Sequence, residues 1–177
     1  ALPGVHSVLT AEDVPAIKNH GLVIPDWPVM VGVGERVRYV GDVLAIVAAA
    51  NRAIATKAIK LIEVEYEEKP VIQTAVQAKQ PETESIHEDG NLLKHIKVRK
   101  GDTSAGFEDA DVVLEGTFYT NPNDHLFLEP ECAIARPMPD GRMEIYVGSQ
   151  IPYADRSQTA QAMGWKDGQV RVLAQLM

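Results

Sequence analysis

The longest uninterrupted apolar run in this sequence, Val43–Ala50, has only eight residues. Eight residues suit one buried strand but fall well short of the roughly 18 that a membrane-spanning helix needs. Asn51 follows as a candidate helix cap, and apolar residues then recur every three to four positions through Ile62. The next residues, Ile62–Tyr66, alternate like a strand. Strand, helix and strand in this short stretch predict an α/β fold.

A second pattern of this kind lies later in the sequence. Met143–Val147 reads as a strand, a helix is predicted from Pro152 to Met163, and another strand starts at Val170. The polar stretch Ala75–Gly90 has no regular period, which predicts a linker between two lobes. Further predicted elements are strands at His95–Val98, Val112–Tyr119 and Cys132–Arg136, and a short helix beginning at Asp102 or Thr103.

Composition excludes several classes of protein. The 17 Lys and Arg residues against 25 Asp and Glu residues give a net charge of −8, which argues against a nucleic-acid binder. No signal peptide is visible, and the single cysteine, Cys132, allows no internal disulfide, so we expect a cytoplasmic protein. The sequence starts at Ala1 without a Met and stops in a strand-like apolar run. We therefore expect an internal piece of a longer polypeptide.

Most catalytic patterns in the sequence are incomplete. His125 and Glu129 have the four-residue spacing of a zinc-protease helix, but prolines bracket them and the second histidine is absent. A structural role is the better interpretation, with a zinc hydrolase as an alternative. Gly32 and Gly34 precede a strand and lack the third glycine of a nucleotide loop, so they predict a simple turn. Cys132 begins an apolar stretch and is predicted to be a buried, inert thiol.

Two polar groups of residues remain. The stretch His87–Asp89 and His95 offer metal-ligand types without a fixed spacing, which favours a solvated loop. Gln150 falls in the joint between the strand Met143–Val147 and the helix at Pro152. Ligands of α/β folds bind beyond the carboxyl ends of strands, and an amide donates a hydrogen bond without adding charge. Gln150 is therefore either a functional donor or an N-cap of the helix.

Several short runs resemble the large subunit of the molybdenum hydroxylases, the xanthine dehydrogenase and aldehyde oxidase family. In the second half of the sequence the matching runs are Glu115–Tyr119, His125–Ala133 and Gly148–Pro152. In the first half the runs that resemble the family's α/β hammerhead domain are Pro3–Val5, Val8–Pro15, Val40–Asp42 and Ile62–Glu68. The resemblance implies an N-terminally incomplete hammerhead domain at residues 1–75, a linker at 76–90, and the beginning of a molybdopterin-binding domain at 91–177.

The resemblance also implies a reaction, cofactors and partners. Enzymes of this family insert oxygen from water into a C–H bond of an N-heterocycle or aldehyde. Electrons pass to the molybdenum cofactor and then to iron–sulfur centres and usually FAD, held on other domains or subunits. The Gln that matches Gln150 donates a hydrogen bond to a molybdenum oxo ligand, outside the metal's own ligands. The expected partners are the remainder of the large subunit, the iron–sulfur and flavin subunits or domains, and the small-molecule substrate.

Two family elements lie outside this sequence. The family's Gly-rich Phe motif would follow Met177, and its catalytic Glu lies further downstream. We therefore expect this piece alone to be inactive and to hold no cofactor by itself. The alternative is a non-catalytic interaction module with the same fold.

Overall fold

The computed structural model describes residues 2–126 and 131–175. The chain divides into two compact units, Ala1–Glu67 with Glu129–Met177, and Glu68–Leu128. In chain order the elements are β1 (Val5–Leu9), a 3₁₀ turn (Ala11–Asp13), β2 (Asn19–His20), β3 (Trp27–Pro28), β4 (Ile46–Ala49), α1 (Arg52–Ile59), α2 (Ala75–Ala78), α3 (Thr103–Glu108), β5 (Ala133–Pro137), β6 (Met143–Val147), α4 (Pro152–Met163), a 3₁₀ turn (Asp167–Gln169) and β7 (Val170–Ala174). This mixture of helices and small sheets confirms the α/β class.

In the first unit, β1 and β4 pair as antiparallel strands. Only the second half of the apolar run forms β4, and the prediction that this strand is buried is wrong, because its residues alternate between exposed and half-buried in a two-stranded sheet. Helix α1 follows as predicted, and the Asn51 side chain caps it by accepting a hydrogen bond from the Ile54 amide at 3.0 Å. A small core beside the first 3₁₀ turn contains Ala11, Val14 and Met30.

The first unit also contains a three-stranded sheet with the order β5-β6-β7. Strands β5 and β6 are antiparallel, whereas β6 and β7 are parallel and are joined through α4. The bounds of β6 and α4 and the start of β7 confirm the pattern predicted from the sequence. Ala160 of α4 is 1% exposed and Val170 of β7 is 3% exposed. The helix is therefore held against the sheet by close apolar packing.

The C-terminal end of α4 is held by residues from far earlier in the chain. Gly164 ends the helix in the left-handed conformation, with φ of 68°. The amides of Ala16 and Ile17 donate to the carbonyls of Ala162 and Gln161 at 3.1 and 3.2 Å. Because the last carbonyls of a helix lack the usual intrahelical partner, the bond from Ala16 satisfies the Ala162 carbonyl, while the Gln161 carbonyl accepts from Ile17 in addition to the Gly164 amide.

We expect Gly164→Ala to destabilise the protein by about 1–2 kcal/mol, since only glycine adopts this backbone conformation without strain. A methyl group at this position would also lie 3.3 Å from the Ala16 Cβ. The measurement is thermal or denaturant unfolding. Gly168→Ala is the matched control, because a Cβ there meets nothing within 4 Å. Equal stability of the two variants would contradict this account of the helix end.

The second unit contains two short helices. Thr74 caps α2 by accepting from the Gln77 amide at 3.1 Å, and Asp102 caps α3 as predicted. The polar stretch predicted to be a linker is ordered by Asn91, which accepts from the Ile86 amide at 2.7 Å and donates to the Ala78 carbonyl at 3.2 Å. The boundaries at 1–75, 76–90 and 91–177 stay a prediction.

Three predicted strands are wrong. Residues 62–66, 95–98 and 112–119 contain no strand. Their β-branched and aromatic residues favour extended backbone, but a strand also needs a neighbour for its amides and carbonyls, and the described residues supply none. No residue of 68–126 is buried. Large apolar side chains in this range that are more than half exposed are Val71, Val76, Leu92, Leu93, Ile96, Val98, Phe107, Val112, Val113, Leu114, Phe118, Tyr119 and Leu126.

Within residues 2–126 and 131–175, no helix has both the length and the apolar character needed to cross a membrane.

Candidate functional site

Gln150 lies three residues beyond β6 and immediately before the cap of α4. Because β6 and β7 are parallel, their carboxyl ends lie at the same end of the sheet, and Gln150 follows the carboxyl end of β6. In open sheets with a helical crossover, ligands bind beyond the carboxyl ends of the strands. Gln150 itself is exposed in a bend of the backbone. The fold thus places this residue where the sequence predicted it.

The side chain of Gln150 is available to a ligand. Within the described parts of the chain, no hydrogen bond engages its amide group. The N-cap of α4 is Ile151, and no side chain caps this helix. The N-cap interpretation of Gln150 is therefore wrong, and its role as a functional donor stays a prediction. An exposed, neutral amide at a strand end can donate to an oxygen of a bound group without adding charge.

The backbone around Gln150 is shaped by its neighbours. The Ile151 amide donates to the Ser149 hydroxyl oxygen at 3.1 Å. Pro152 occupies the first turn of α4, where its lack of an N–H costs nothing. The amides of Ala154 and Asp155 donate to the Ile151 carbonyl at 2.9 and 3.1 Å. Ser149 was not predicted from the sequence as a functional residue, although a serine shortly before a predicted helix is a known signal for such a local bond.

A buried carboxylate joins the three strands of the same sheet. The Glu144 side chain is 5% exposed and accepts from Arg136 at 2.5 Å, Arg171 at 3.0 Å and the Tyr146 hydroxyl at 3.1 Å. Arg136, Glu144 and Arg171 occupy matching positions on β5, β6 and β7. The hydrogen bond from Arg136 lowers the pKa of Glu144, and Tyr146 adds to the effect. This cluster was not predicted from the sequence, where its only signal is opposite charges on neighbouring predicted strands.

The remaining residues singled out from the sequence are a cysteine, a glycine turn and the possible metal ligands. Cys132 is exposed rather than buried, because it precedes β5, an edge strand whose residues are all exposed. The turn at Gly32 is confirmed, with its amide donating to the Glu35 carboxylate at 2.8 Å. Glu129 lies outside the described residues, so the structural role predicted for His125 and Glu129 stays a prediction. Over 2–126 and 131–175, no three His, Cys, Asp or Glu side chains are grouped to hold a metal ion.

Known proteins match both halves of the chain. Residues 86–177 match the family model of the molybdopterin cofactor-binding domain, and residues 1–70 match that of the aldehyde oxidase and xanthine dehydrogenase a/b hammerhead domain. The chain is 39% identical over 176 residues to a probable xanthine dehydrogenase subunit of Bacillus subtilis (strain 168), covering 99% of this chain and 23% of that protein.

Two further similarities agree with these matches. The chain is 32% identical to the nicotinate dehydrogenase large molybdopterin subunit of Eubacterium barkeri, covering 98% of this chain and 40% of that protein. The solved aldehyde oxidoreductase from Desulfovibrio gigas superposes with a TM-score of 0.83 and 29% identity, over 98% of this chain and 20% of that structure. The chain therefore spans between a fifth and two-fifths of the length of these proteins.

Proposed function

This chain belongs to the aldehyde oxidase and xanthine dehydrogenase family, the molybdenum hydroxylases, and from that membership we propose that it serves a molybdopterin-dependent hydroxylase. The substrate class is an N-heterocycle or an aldehyde, and water supplies the oxygen. The similarity to a nicotinate dehydrogenase subunit and to an aldehyde oxidoreductase supports these two classes. We assign residues 91–177 to the cofactor-binding part and residues 1–75 to the hammerhead part.

The residues around Gln150 fit the molybdenum cofactor. When bound, this cofactor takes up the two electrons of the oxidation. The exposed side-chain amide of Gln150 lies beyond the adjacent carboxyl ends of the parallel strands β6 and β7. It offers a neutral hydrogen-bond donor, which suits the oxygen of an oxo-bearing group. We assign to Gln150 a hydrogen bond to the cofactor's oxo oxygen, which orients the cofactor and polarises that oxygen. Glu144, on the strand that leads to Gln150, is buried and paired with two arginines, so its negative charge is balanced within the sheet.

The second unit supports a further proposal about partners. Its exposed apolar side chains cover no core within residues 68–126, and exposed surface of this kind marks contact with other protein. The B. subtilis relative is more than four times the length of the matched segment. We assign this surface to contact with the remainder of a large subunit, and place the iron–sulfur centres and FAD on other domains or subunits. The unpaired Cys132 fits a cytoplasmic enzyme.

Isotope labelling of the product tests the proposed reaction. The enzyme is purified from its natural source, its molybdenum content is measured, and it is offered N-heterocycles and aldehydes in water enriched in oxygen-18. We expect one labelled oxygen atom per molecule of hydroxylated heterocycle, and at least one in each acid formed from an aldehyde, whose own carbonyl oxygen also exchanges with water. Label taken from dissolved O₂ instead, or a protein without molybdenum that binds a partner and oxidises none of these substrates, would contradict the proposal. The second of these results would favour a non-catalytic interaction module.

A further inference from the structure

The hydroxyl group of Ser149 closes a small ring around Gln150. The Ile151 amide donates to Ser149 Oγ at 3.1 Å, so the bond connects the residue before Gln150 to the residue after it. A bond of this type restricts the backbone dihedral angles of the enclosed residue. We propose that Ser149 is a positioning residue, which holds Gln150 in the one arrangement that reaches the cofactor. This inference rests on the proposed function of Gln150.

The hydroxyl is the acceptor that the local backbone lacks. Ile151 precedes the first turn of α4, so its amide has no partner inside the helix. The amides of Ala154 and Asp155 donate to the Ile151 carbonyl, which holds the helix side of this residue. The Ile151 amide, on the other side, donates to the Ser149 hydroxyl oxygen. The bend at Gln150 therefore depends on Ser149 for its only side-chain hydrogen bond among the described residues.

The rest of α4 is fixed independently of Ser149. Ala160 is 1% exposed against the sheet, and the far end of the helix is bonded to Ala16 and Ile17. Loss of the Ser149 hydroxyl is therefore expected to leave the helix in place and to loosen the bend alone. A role limited to this bend is what distinguishes a positioning residue from a structural one.

The first test uses variants of the complete, molybdenum-loaded enzyme. We expect Ser149→Ala to lower kcat by about 10- to 100-fold, because small displacements of a positioned group are costly, with KM and molybdenum content unchanged. Ser149→Thr keeps the hydroxyl and restores most of kcat. Ser157→Ala is the control, since it removes a hydroxyl of α4 that donates to Asp167 at 2.7 Å, and kcat should not change.

A double-mutant cycle shows whether Ser149 acts through Gln150. In the Gln150→Ala background we expect Ser149→Ala to cause no further loss of kcat, because the group that it positions is already absent. Ser149→Ala should also shift the molybdenum EPR spectrum of the partly reduced enzyme in the same direction as Gln150→Ala. Amide hydrogen exchange at Ile151 should be about ten times faster, as expected for a lost hydrogen bond.

Different results overturn different parts of the argument. The role of Ser149 would be overturned, and that of Gln150 left intact, by any of three results. These are an equal fold-loss of kcat from Ser149→Ala with and without the Gln150→Ala change, an unchanged kcat in Ser149→Ala, or unchanged amide exchange at Ile151. A Gln150→Ala enzyme with normal kcat and a normal EPR spectrum would overturn the assigned role of Gln150, and the role of Ser149 with it.

Discussion

We expect replacement of Gln150 with alanine to lower the turnover of the complete, molybdenum-loaded enzyme by about 10- to 1000-fold, the range for loss of one oriented polar donor. The reason is local: Gln150 is exposed beyond the shared carboxyl ends of two parallel strands, and within the described residues its amide is engaged by no other group. Steady-state kinetics with a heterocycle or aldehyde substrate, together with a molybdenum assay, measure the effect.

Two further variants separate the amide donor from other properties of the side chain. Gln150→Glu keeps the shape but replaces the N–H donors with a negative charge, so its loss should be at least as large. Gln161→Ala removes an exposed glutamine near the other end of α4 and should leave turnover unchanged. Normal turnover of Gln150→Ala at full molybdenum loading would refute the assigned role.

We expect Glu144→Ala to lower the midpoint of thermal unfolding by on the order of 5–10 °C, since it removes the centre of a buried polar cluster in a protein of this size. One buried carboxylate accepts hydrogen bonds from residues of all three strands of the sheet, so its loss affects β5, β6 and β7 together. Circular dichroism melts of the purified protein provide the measurement.

An exposed pair in the same sheet region is the matched control. Asp140 and Arg142 are 2.7 Å apart, but about half of each side chain is exposed. Because exposed ion pairs contribute little to stability, Asp140→Ala should change the midpoint by no more than about 2 °C. Equal unfolding midpoints for Glu144→Ala and Asp140→Ala would contradict a special contribution of the buried Glu144 to stability.

The cluster also makes stability depend on pH. The pKa of Glu144 is lower in the folded protein than its ordinary value of 4.5. A lowered carboxyl pKa contributes stability that is fully present above the unfolded value and is lost as the pH falls through the folded value. In Glu144→Ala the midpoint should therefore fall less steeply below pH 4.5 than it does in the unaltered protein.

The sequence predicts best where the signals are local. The β6-α4-β7 pattern is marked by an apolar strand, a proline in the first helical turn and a glycine just after the last, and all three signals act within a few residues. Gln150 could be located for the same reason. Its neighbour Ser149 forms a hydrogen bond that also spans only two residues, so the signal for this bond is likewise local in the sequence.

Features that depend on distant neighbours could not be predicted in this way. Residues 112–119 are rich in the β-branched and aromatic residues typical of strands, but whether they form a strand depends on a partner strand. Glu144 reads as an ordinary surface residue until its strand is placed between two others that carry arginines. Cys132 lies in an apolar stretch, yet its exposure is set by the position of β5 at the edge of the sheet.

The bonds from Ala16 and Ile17 to the end of α4 constrain the order in which parts of the chain can fold as it is synthesised. The two donor amides leave the ribosome long before the helix that accepts them. Contacts between residues so far apart in sequence close large loops and form slowly. During synthesis the amides of Ala16 and Ile17 therefore lack these acceptors until α4 has been made, and the C-terminal end of α4 takes its final packing only after this long loop has closed.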